Sequence, residues 1–410
     1  MALVRPFQAL RPVPEAAHAV AAVPYDVVST EEARALAADN PLSFLHVSRA
    51  EIDLAPEADP HGDEVYRKAA DNLARLRRDA PLVLEDAPSL YCYRLQDGDH
   101  EQTGLAGCYS LEEYARGVIK KHERTRRDKE DDRTRHMLAL GAQTGVVFLT
   151  YRASVAVDTV TRRACQQDPL FDLTGADGVR HTVWRLNGSD QTAAVSAFDT
   201  VPALYIADGH HRVASAARAR DELASSGGPT PHPDAQFVLG VAFPDTETRI
   251  LAYNRTVADL AGYTPERFLE AMRTRFPVRP DADPAPPKGQ VAMYVSGAWY
   301  AVDLAGTSQP TSHGAQTDRL DSAVLQDRLL APILHVADMR TDPRMTFVGG
   351  ARGTATLEAM VDSGTAAVAF SLAPVTLQEL LDVSDAGDIM PPKSTWFEPK
   401  LRDGLLIHLI

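Results

Sequence analysis

The stretch from Ala203 to Ser226 constrains the fold of this chain more than any other. Ala203-Leu204-Tyr205-Ile206-Ala207 is an apolar run of strand length, and Asp208-Gly209 follows as a turn in which Asp208 is a good helix N-cap. His210 to Ser226 is then rich in Ala, Arg, Glu and Leu, and stops at Gly227-Gly228, a suitable C-terminal signal. This junction puts three side chains able to carry positive charge, His210, His211 and Arg212, in the first helical turn. A helix N-terminus carries partial positive charge and prefers anions, so such a set needs a compensator. Backbone N–H groups, the helix dipole and an arginine fork together suit a phosphate, and Gly209 would let it approach the backbone closely. The plainer reading pairs Arg212 with a nearby carboxylate and packs the histidines neutral; the flanking strand and glycine turn favour a ligand site. Adjacent histidines on a helix point about 100° apart, and no other His/Cys cluster has ligand spacing, so a structural zinc is not expected.

Elsewhere, helical and strand patterns alternate, which predicts an α/β (mixed α+β) protein with mixed sheets. Thr30–Asp39 reads as a helix capped by Ser29 or Thr30, with Glu31 and Glu32 in its first turn. Glu64–Asp79 repeats apolar residues at Val65, Ala69, Leu73 and Leu76, a helical face. Leu90–Leu95, Gly145–Tyr151, Phe237–Phe243 and Val291–Val295 read as strands, and Leu405–Ile410 as a hydrophobic strand tied into a sheet. Pro, Gly and Asp concentrate in Leu54–Asp63, Ser225–Asp234 and Arg279–Gly289; the last is the best candidate for a domain linker.

Lys120–His136 reads KKHERTRRDKEDDRTRH. If helical, it gathers His122, Arg126, Lys129, Arg133 and His136 on one basic stripe, with Glu123, Arg127 and Glu130 on the neighbouring one. Glu123, between His122 and Arg124, is a candidate general base, because cations stabilise its proton-accepting form. The alternative is a solvated, salt-bridged helix. Met390–Asp403 reads MPPKSTWFEPKLRD: its prolines rule out a regular helix, and Trp396 and Phe397 should pin an ordered loop presenting Lys393, Ser394, Thr395 and Lys400. Tyr25 and Asp26, in VPYDV, lie at a rigid turn that can reach a site or cap the next helix. Phe347-Val348-Gly349-Gly350 reads as a plain turn. It lacks the Lys-Ser/Thr ending of a P-loop, and no GxGxxG follows a strand.

A net charge of −14 disfavours nucleic acid and anionic membranes as main partners, while a local basic site can still take a small anion. Three widely spaced cysteines suit a reducing cytosol, and neither a signal peptide nor a spanning apolar stretch is apparent. A cytoplasmic protein with no membrane partner is expected.

PYDV at Pro24–Val27, NPLSFLHVSRAEIDL at Asn40–Leu54, IKKHERTRRDKEDDR at Ile119–Arg133, ADGHHR at Ala207–Arg212, YNR at Tyr253–Arg255 and MPPKSTWFEPKL at Met390–Leu401 resemble the bacterial domain-of-unknown-function 1015 family. The DGHHR element is also similar to that of free-serine kinases in the ParB/sulfiredoxin superfamily. That resemblance implies a ParB/sulfiredoxin-like nucleotide-binding core at 111–278, with α/β elaborations at 1–110 and 290–410. It makes Asp208, Gly209, His210, His211 and Arg212 the phosphate element and Glu123 the base for a substrate hydroxyl. Sulfiredoxin chemistry itself is excluded, because the expected cysteine is His210 here.

The resulting expectation is a phosphotransferase acting on serine or another small hydroxyl amino acid, using ATP or ADP and Mg²⁺. Catalytic roles fall to Glu123, His122, Asp208 and His211, and phosphate contacts to Gly209, His210, Arg212, Arg126, Lys129, Arg133, Lys393, Ser394, Thr395 and Lys400. Tyr25 and Asp26 are candidates for substrate contact. The alternatives are phosphoserine dephosphorylation, with water or ADP as acceptor, and a nucleotide-sensing regulator without turnover.

Overall fold

The computed structural model describes residues 3–79, 82–225, 233–304 and 316–410. Two compact units emerge: one from Met1–Lys121, Thr125–Thr248 and Pro399–Ile410, the other from His122–Arg124 and Arg249–Glu398. They cut across the segments 1–110, 111–278 and 290–410, because contact rather than chain order groups them.

The first unit is built on a nine-stranded mixed sheet. Its order is Ile119–Lys120, Leu204–Asp208, Val147–Tyr151, Phe237–Pro244, His100–Ser110, Tyr91–Asp97, Arg180–Arg185, Phe171–Thr174, with Val4–Arg5 also paired to His100–Ser110. Leu204–Asp208 runs parallel to Ile119–Lys120 and antiparallel to Val147–Tyr151, which is itself parallel to Phe237–Pro244. These strands form because their residues are almost all apolar and buried between helices: Val147, Leu149, Leu204 and Ile206 share a core with Val213 and Ala216 of the helix His210–Ser225. The C-terminal strand Ile407–Leu409 pairs with both Ala9–Pro12 and Ala142–Gln143, closing a small antiparallel sheet as its hydrophobicity foretold. The helix Thr30–Ala37 starts at Ser29, whose side chain accepts from the Glu32 N–H while Glu32 returns a bond to the Ser29 N–H. The helix end expected at Gly227-Gly228 lies outside the described residues.

The second unit carries a six-stranded antiparallel sheet ordered Val278–Pro280, Ala298–Asp303, Gln290–Val295, Val368–Leu372, Tyr253–Val257, Met345–Gly349. Phe268, Met272, Val291, Met293 and Phe370 fill its core. Arg279–Gly289 is no domain linker: it joins two strands that flank Ala298–Asp303, so its prolines stiffen a connection inside one sheet. Phe347-Val348-Gly349 is strand rather than turn, and Gly349 is required because a Cβ there would lie 2.7 Å from the Trp396 ring. Trp396–Phe397 pairs with Ile250–Leu251, which orders the proline-rich loop as expected.

The basic segment departs most from expectation. Ile119–Lys120 is strand, Arg126 is extended, and the helix runs only from Arg127 to Leu140, with Asp128 and Glu130 in its first turn facing the positive end of the dipole. Pairing of Ile119–Lys120 with Leu204–Asp208 holds the preceding residues out of the helix, so no continuous basic stripe exists.

In the first unit Gly104 sits where a Cβ would meet Val241 Cγ1 at 2.6 Å, the Ala242 carbonyl at 2.8 Å and Phe243 Cδ1 at 2.9 Å. Gly104→Ala should therefore destabilise the fold by ~1–3 kcal/mol. Thermal unfolding followed by near-UV circular dichroism should show a lowered midpoint; an unchanged one would mean the strands part freely.

Candidate functional site

In the first unit Leu204–Asp208 loses register with Val147–Tyr151 between Ile206 and Asp208, where Ile206 faces Leu149 and Asp208 faces Phe148. This irregularity re-aims the end of the strand. Gly209 follows at φ +96°, and a Cβ on it would touch Arg212 Cδ at 3.2 Å, so both its backbone angle and its neighbour call for glycine. The Gly209 carbonyl accepts the Arg212 and Val213 N–H groups at 2.9 and 3.2 Å, placing Gly209, not Asp208, at the cap. Asp208 instead accepts from Lys400 Nζ at 2.8 Å, with Asp208 half-exposed and Lys400 largely covered. Burial alone would raise the Asp208 pKa, but Lys400, Arg212 and His210 overcome it and hold the carboxyl far below the usual range. Asp208 is a firmly ionised group.

The compensator expected for Arg212 is supplied by the protein. Arg212 is 5% exposed; its Nη1 donates to the Val146 carbonyl at 2.6 Å and its Nη2 to Asp26 Oδ1 at 3.0 Å. Burial opposes its charge, while Asp26, Asp403, Tyr25 and Asp208 around it favour that charge and raise its pKa. Gly145 leaves room for it: a Cβ there would lie 3.2 Å from Arg212 Cδ and Nε. The expectation of an open arginine fork for phosphate is corrected accordingly. Arg212 is a positioning residue that ties the helix start to Asp26 and Val146.

Tyr25 lies between two guanidinium groups, with Arg133 Cζ 4.3 Å and Arg212 Cζ 5.3 Å from its ring centroid. Burial, then Asp26, pushes its hydroxyl up to about 12 against the pull of Arg133 and Arg212. Arg133 is likewise engaged, donating from Nε to Asp132 Oδ2 at 2.8 Å. His211 Nε2 accepts the Arg126 N–H at 3.0 Å, so His211 is neutral in this arrangement and not the cation the sequence suggested. His210 is buried. Arg126 is exposed and pairs with Asp128, and Lys129 is exposed on the helix Arg127–Leu140. His136, the last member of the expected stripe, is buried against the Val47 carbonyl, and burial lowers its pKa to about 4.

His122 and Glu123 group with the second unit, as do Lys393, Ser394 and Thr395, whereas Lys400 groups with the first. His122 Nε2 is 3.2 Å from Thr395 Oγ1, and the His122 carbonyl accepts the Met390 N–H at 2.8 Å. Glu123 is half-buried. Among the described residues no group of three or more His, Cys, Asp and Glu side chains is placed to hold a metal ion. No helix of the described residues is long and apolar enough to cross a membrane.

Asp403 is the residue that sequence reading missed. It is 1% exposed, its Oδ2 has no hydrogen-bond partner, and its backbone exchanges hydrogen bonds with Ala22 at 3.0 and 3.1 Å. Its one local signal is the Asp403-Gly404 dipeptide before the hydrophobic tail, Gly404 taking φ +91° against the Phe44 ring.

The chain belongs to the family described as "Protein of unknown function (DUF1015)", which matches residues 4–323. No curated protein matches it. Among solved structures it is similar to a conserved hypothetical protein from Pyrococcus furiosus, at 13% identity over 74% of this chain and 95% of that one, with a TM-score of 0.37. A free serine kinase in complex with AMP is similar at 12% identity, 73% and 91% coverage and a TM-score of 0.37. SbnI with a C-terminal truncation, from Staphylococcus aureus, is similar at 12% identity, 74% and 87% coverage and a TM-score of 0.37.

Burial raises the Asp403 pKa from 3.8 to about 7, with Asp26 adding to the rise and Arg212 and Arg133 opposing it. The folded chain therefore holds a proton here that the unfolded chain releases. This group's contribution to stability is complete below the unfolded value of 3.8 and is lost as pH climbs through about 7. Asp403→Asn removes that loss, so the stability of wild type relative to the variant should fall between pH 4 and pH 8. Urea unfolding at several pH values tests this: a difference that does not vary with pH would refute it.

Proposed function

We propose that this protein transfers a phosphoryl group from a nucleotide, ATP or ADP, to the hydroxyl of a small amino acid, serine foremost. The observation that carries this reading is an ionised, half-exposed Asp208 held by Lys400 where a glycine-led helix begins. The resemblance of the DGHHR element to that of free-serine kinases supports it.

In this reading the N-terminus of the helix His210–Ser225 receives the phosphates through its backbone N–H groups, with His210 and His211 lining the first turn. Lys129 supplies positive charge, Lys400 and Arg126 turn to the phosphates from their ion pairs with Asp208 and Asp128, and Arg212 and Arg133 keep Asp26 and Tyr25 in place. Asp208 orients the incoming group, and exposed Asp26 suits a substrate ammonium. The serine oxygen forms the new P–O bond as the bridging P–O bond of the nucleotide breaks. The nucleotide leaves one phosphoryl group shorter, and Glu123, assigned by motif resemblance, takes the hydroxyl proton. Positioning and electrostatics do most of the work in such chemistry. Mg²⁺, which commonly binds substrate phosphates with only one or two protein carboxylates, would supply charge neutralisation when present.

Calorimetric titration with ATP, ADP, serine and phosphoserine tests the reading. Nucleotide affinity should drop about tenfold or more in His211→Ala and Lys400→Met, the loss of one charge-assisted contact, and Glu123→Gln should bind yet form no product. Absence of binding by wild type, or equal binding by both site variants, would remove the proposal. Product formed from phosphoserine, with and without ADP, sets the direction of transfer. Thermal stabilisation by nucleotide without any product would assign the site to a regulator instead.

A further inference from the structure

The second unit buries a different arginine without giving it a counter-charge. Arg255 lies on the strand Tyr253–Val257 and is 1% exposed. Its Nη1 donates to the Tyr253 carbonyl at 2.8 Å and its Nη2 to the Lys393 carbonyl at 3.3 Å; its Nε has no partner. Five N–H donors thus meet two neutral acceptors. The Phe347 ring lies 5.5 Å from Cζ, and no carboxylate forms an ion pair with Arg255 among the described residues. Burial lowers its pKa to about 10, so the group remains charged at neutral pH. A buried, unpaired charge is strongly unfavourable, and an anion from outside relieves it.

A small pocket opens beside this residue. Tyr253, Arg255, Lys288, Asp321, Ser322 and Ser394 line it. Ser322 Oγ and Ser394 Oγ are 3.1 Å apart, and Ser394 donates to the Pro391 carbonyl at 2.8 Å. Lys393, at φ +56°, turns its carbonyl to Arg255 while its ammonium lies 5.5 Å from the Tyr253 ring centroid. Lys288 is neutralised by Glu379 at 2.7 Å, which leaves Arg255 as the uncompensated cation of the lining. Asp321 accepts the Gly289 N–H at 3.1 and 3.2 Å, and burial raises its pKa against the pull of that N–H and of Lys288.

We propose that this pocket is a second binding site, taking the oxyanion of a small molecule, carboxylate or phosphate, with Arg255 as its anchor and Ser322 and Ser394 as hydroxyl partners. The site stands independently of nucleotide binding in the first unit.

The full chain is titrated with inorganic phosphate and, separately, with acetate, at constant ionic strength in chloride. At least one probe should bind saturably, and which one binds identifies the chemistry. Affinity should fall about tenfold in Arg255→Lys, which keeps the charge but loses the planar fork, and measurably in Ser394→Ala. Far-UV circular dichroism verifies folding of each variant, and Ser394→Ala carries the test if Arg255→Lys does not fold. Saturable binding by neither probe, full affinity in the folded variants, or affinity lost with Lys400→Met instead would each overturn the proposal.

Discussion

A buried guanidinium at the wrong end of a helix organises the first unit. Arg212 is 5% exposed in the first turn of His210–Ser225, where the helix dipole opposes its charge. The surrounding chain is arranged around that conflict. Gly145 and Gly209 leave space for its side chain, Val146 offers a carbonyl, and Asp26 supplies opposing charge, with Asp403 close enough to interact. Asp403 is delivered by the returning C-terminal segment, so the tail serves electrostatics as well as the small sheet that Ile407–Leu409 completes. Removing one partner from such a cluster strands a charge away from water, which is far worse than never having built the pair.

The same pairing explains why the strand–helix junction is shaped as it is. A regular strand followed by an ordinary capped turn would aim Asp208 at the helix N–H groups. The register change after Ile206 and the positive φ of Gly209 give the cap to Gly209 and leave Asp208 for Lys400. An ionised carboxylate, a lysine and a helix N-terminus thereby meet at one place. Arg212 ties the start of that helix to Asp26 and Val146.

Patterns set by neighbours in sequence were legible, and those set by distant partners were not. Val147–Tyr151, Leu204–Asp208 and Phe237–Pro244 announce themselves as apolar runs, and Thr30–Ala37 by the Ser29/Glu32 box. The charged run at 120–136 has no such local arbiter: its side chains suit a helix throughout, and only the pairing of Ile119–Lys120 with a strand some eighty residues away excludes the first third. Asp26 and Arg212 are 186 residues apart, so periodicity could not reveal that the arginine was already paired. Of the two readings open for the HHR element, the sequence could not decide between a guest anion and a nearby carboxylate. The structure supplies the carboxylate for Arg212 while leaving the helix start and Asp208–Lys400 as the candidate receptor.

Arg212 and Arg255 show why a buried cation is not by itself a ligand site. Both are buried, and both donate to main-chain carbonyls. Arg212 is also surrounded by Asp26, Asp403 and Asp208, and its pKa rises; Arg255 has only Tyr253 opposing burial, and its pKa falls. The direction of these shifts follows from charge balance: where the fold supplies the anion the cation is structural, and where it does not the imbalance persists. A lined, open pocket beside the unbalanced member then becomes chemically specific, because water alone offers dipoles where a net negative charge is required. Sequence gives both residues the same letter, and only the inventory of neighbours separates them.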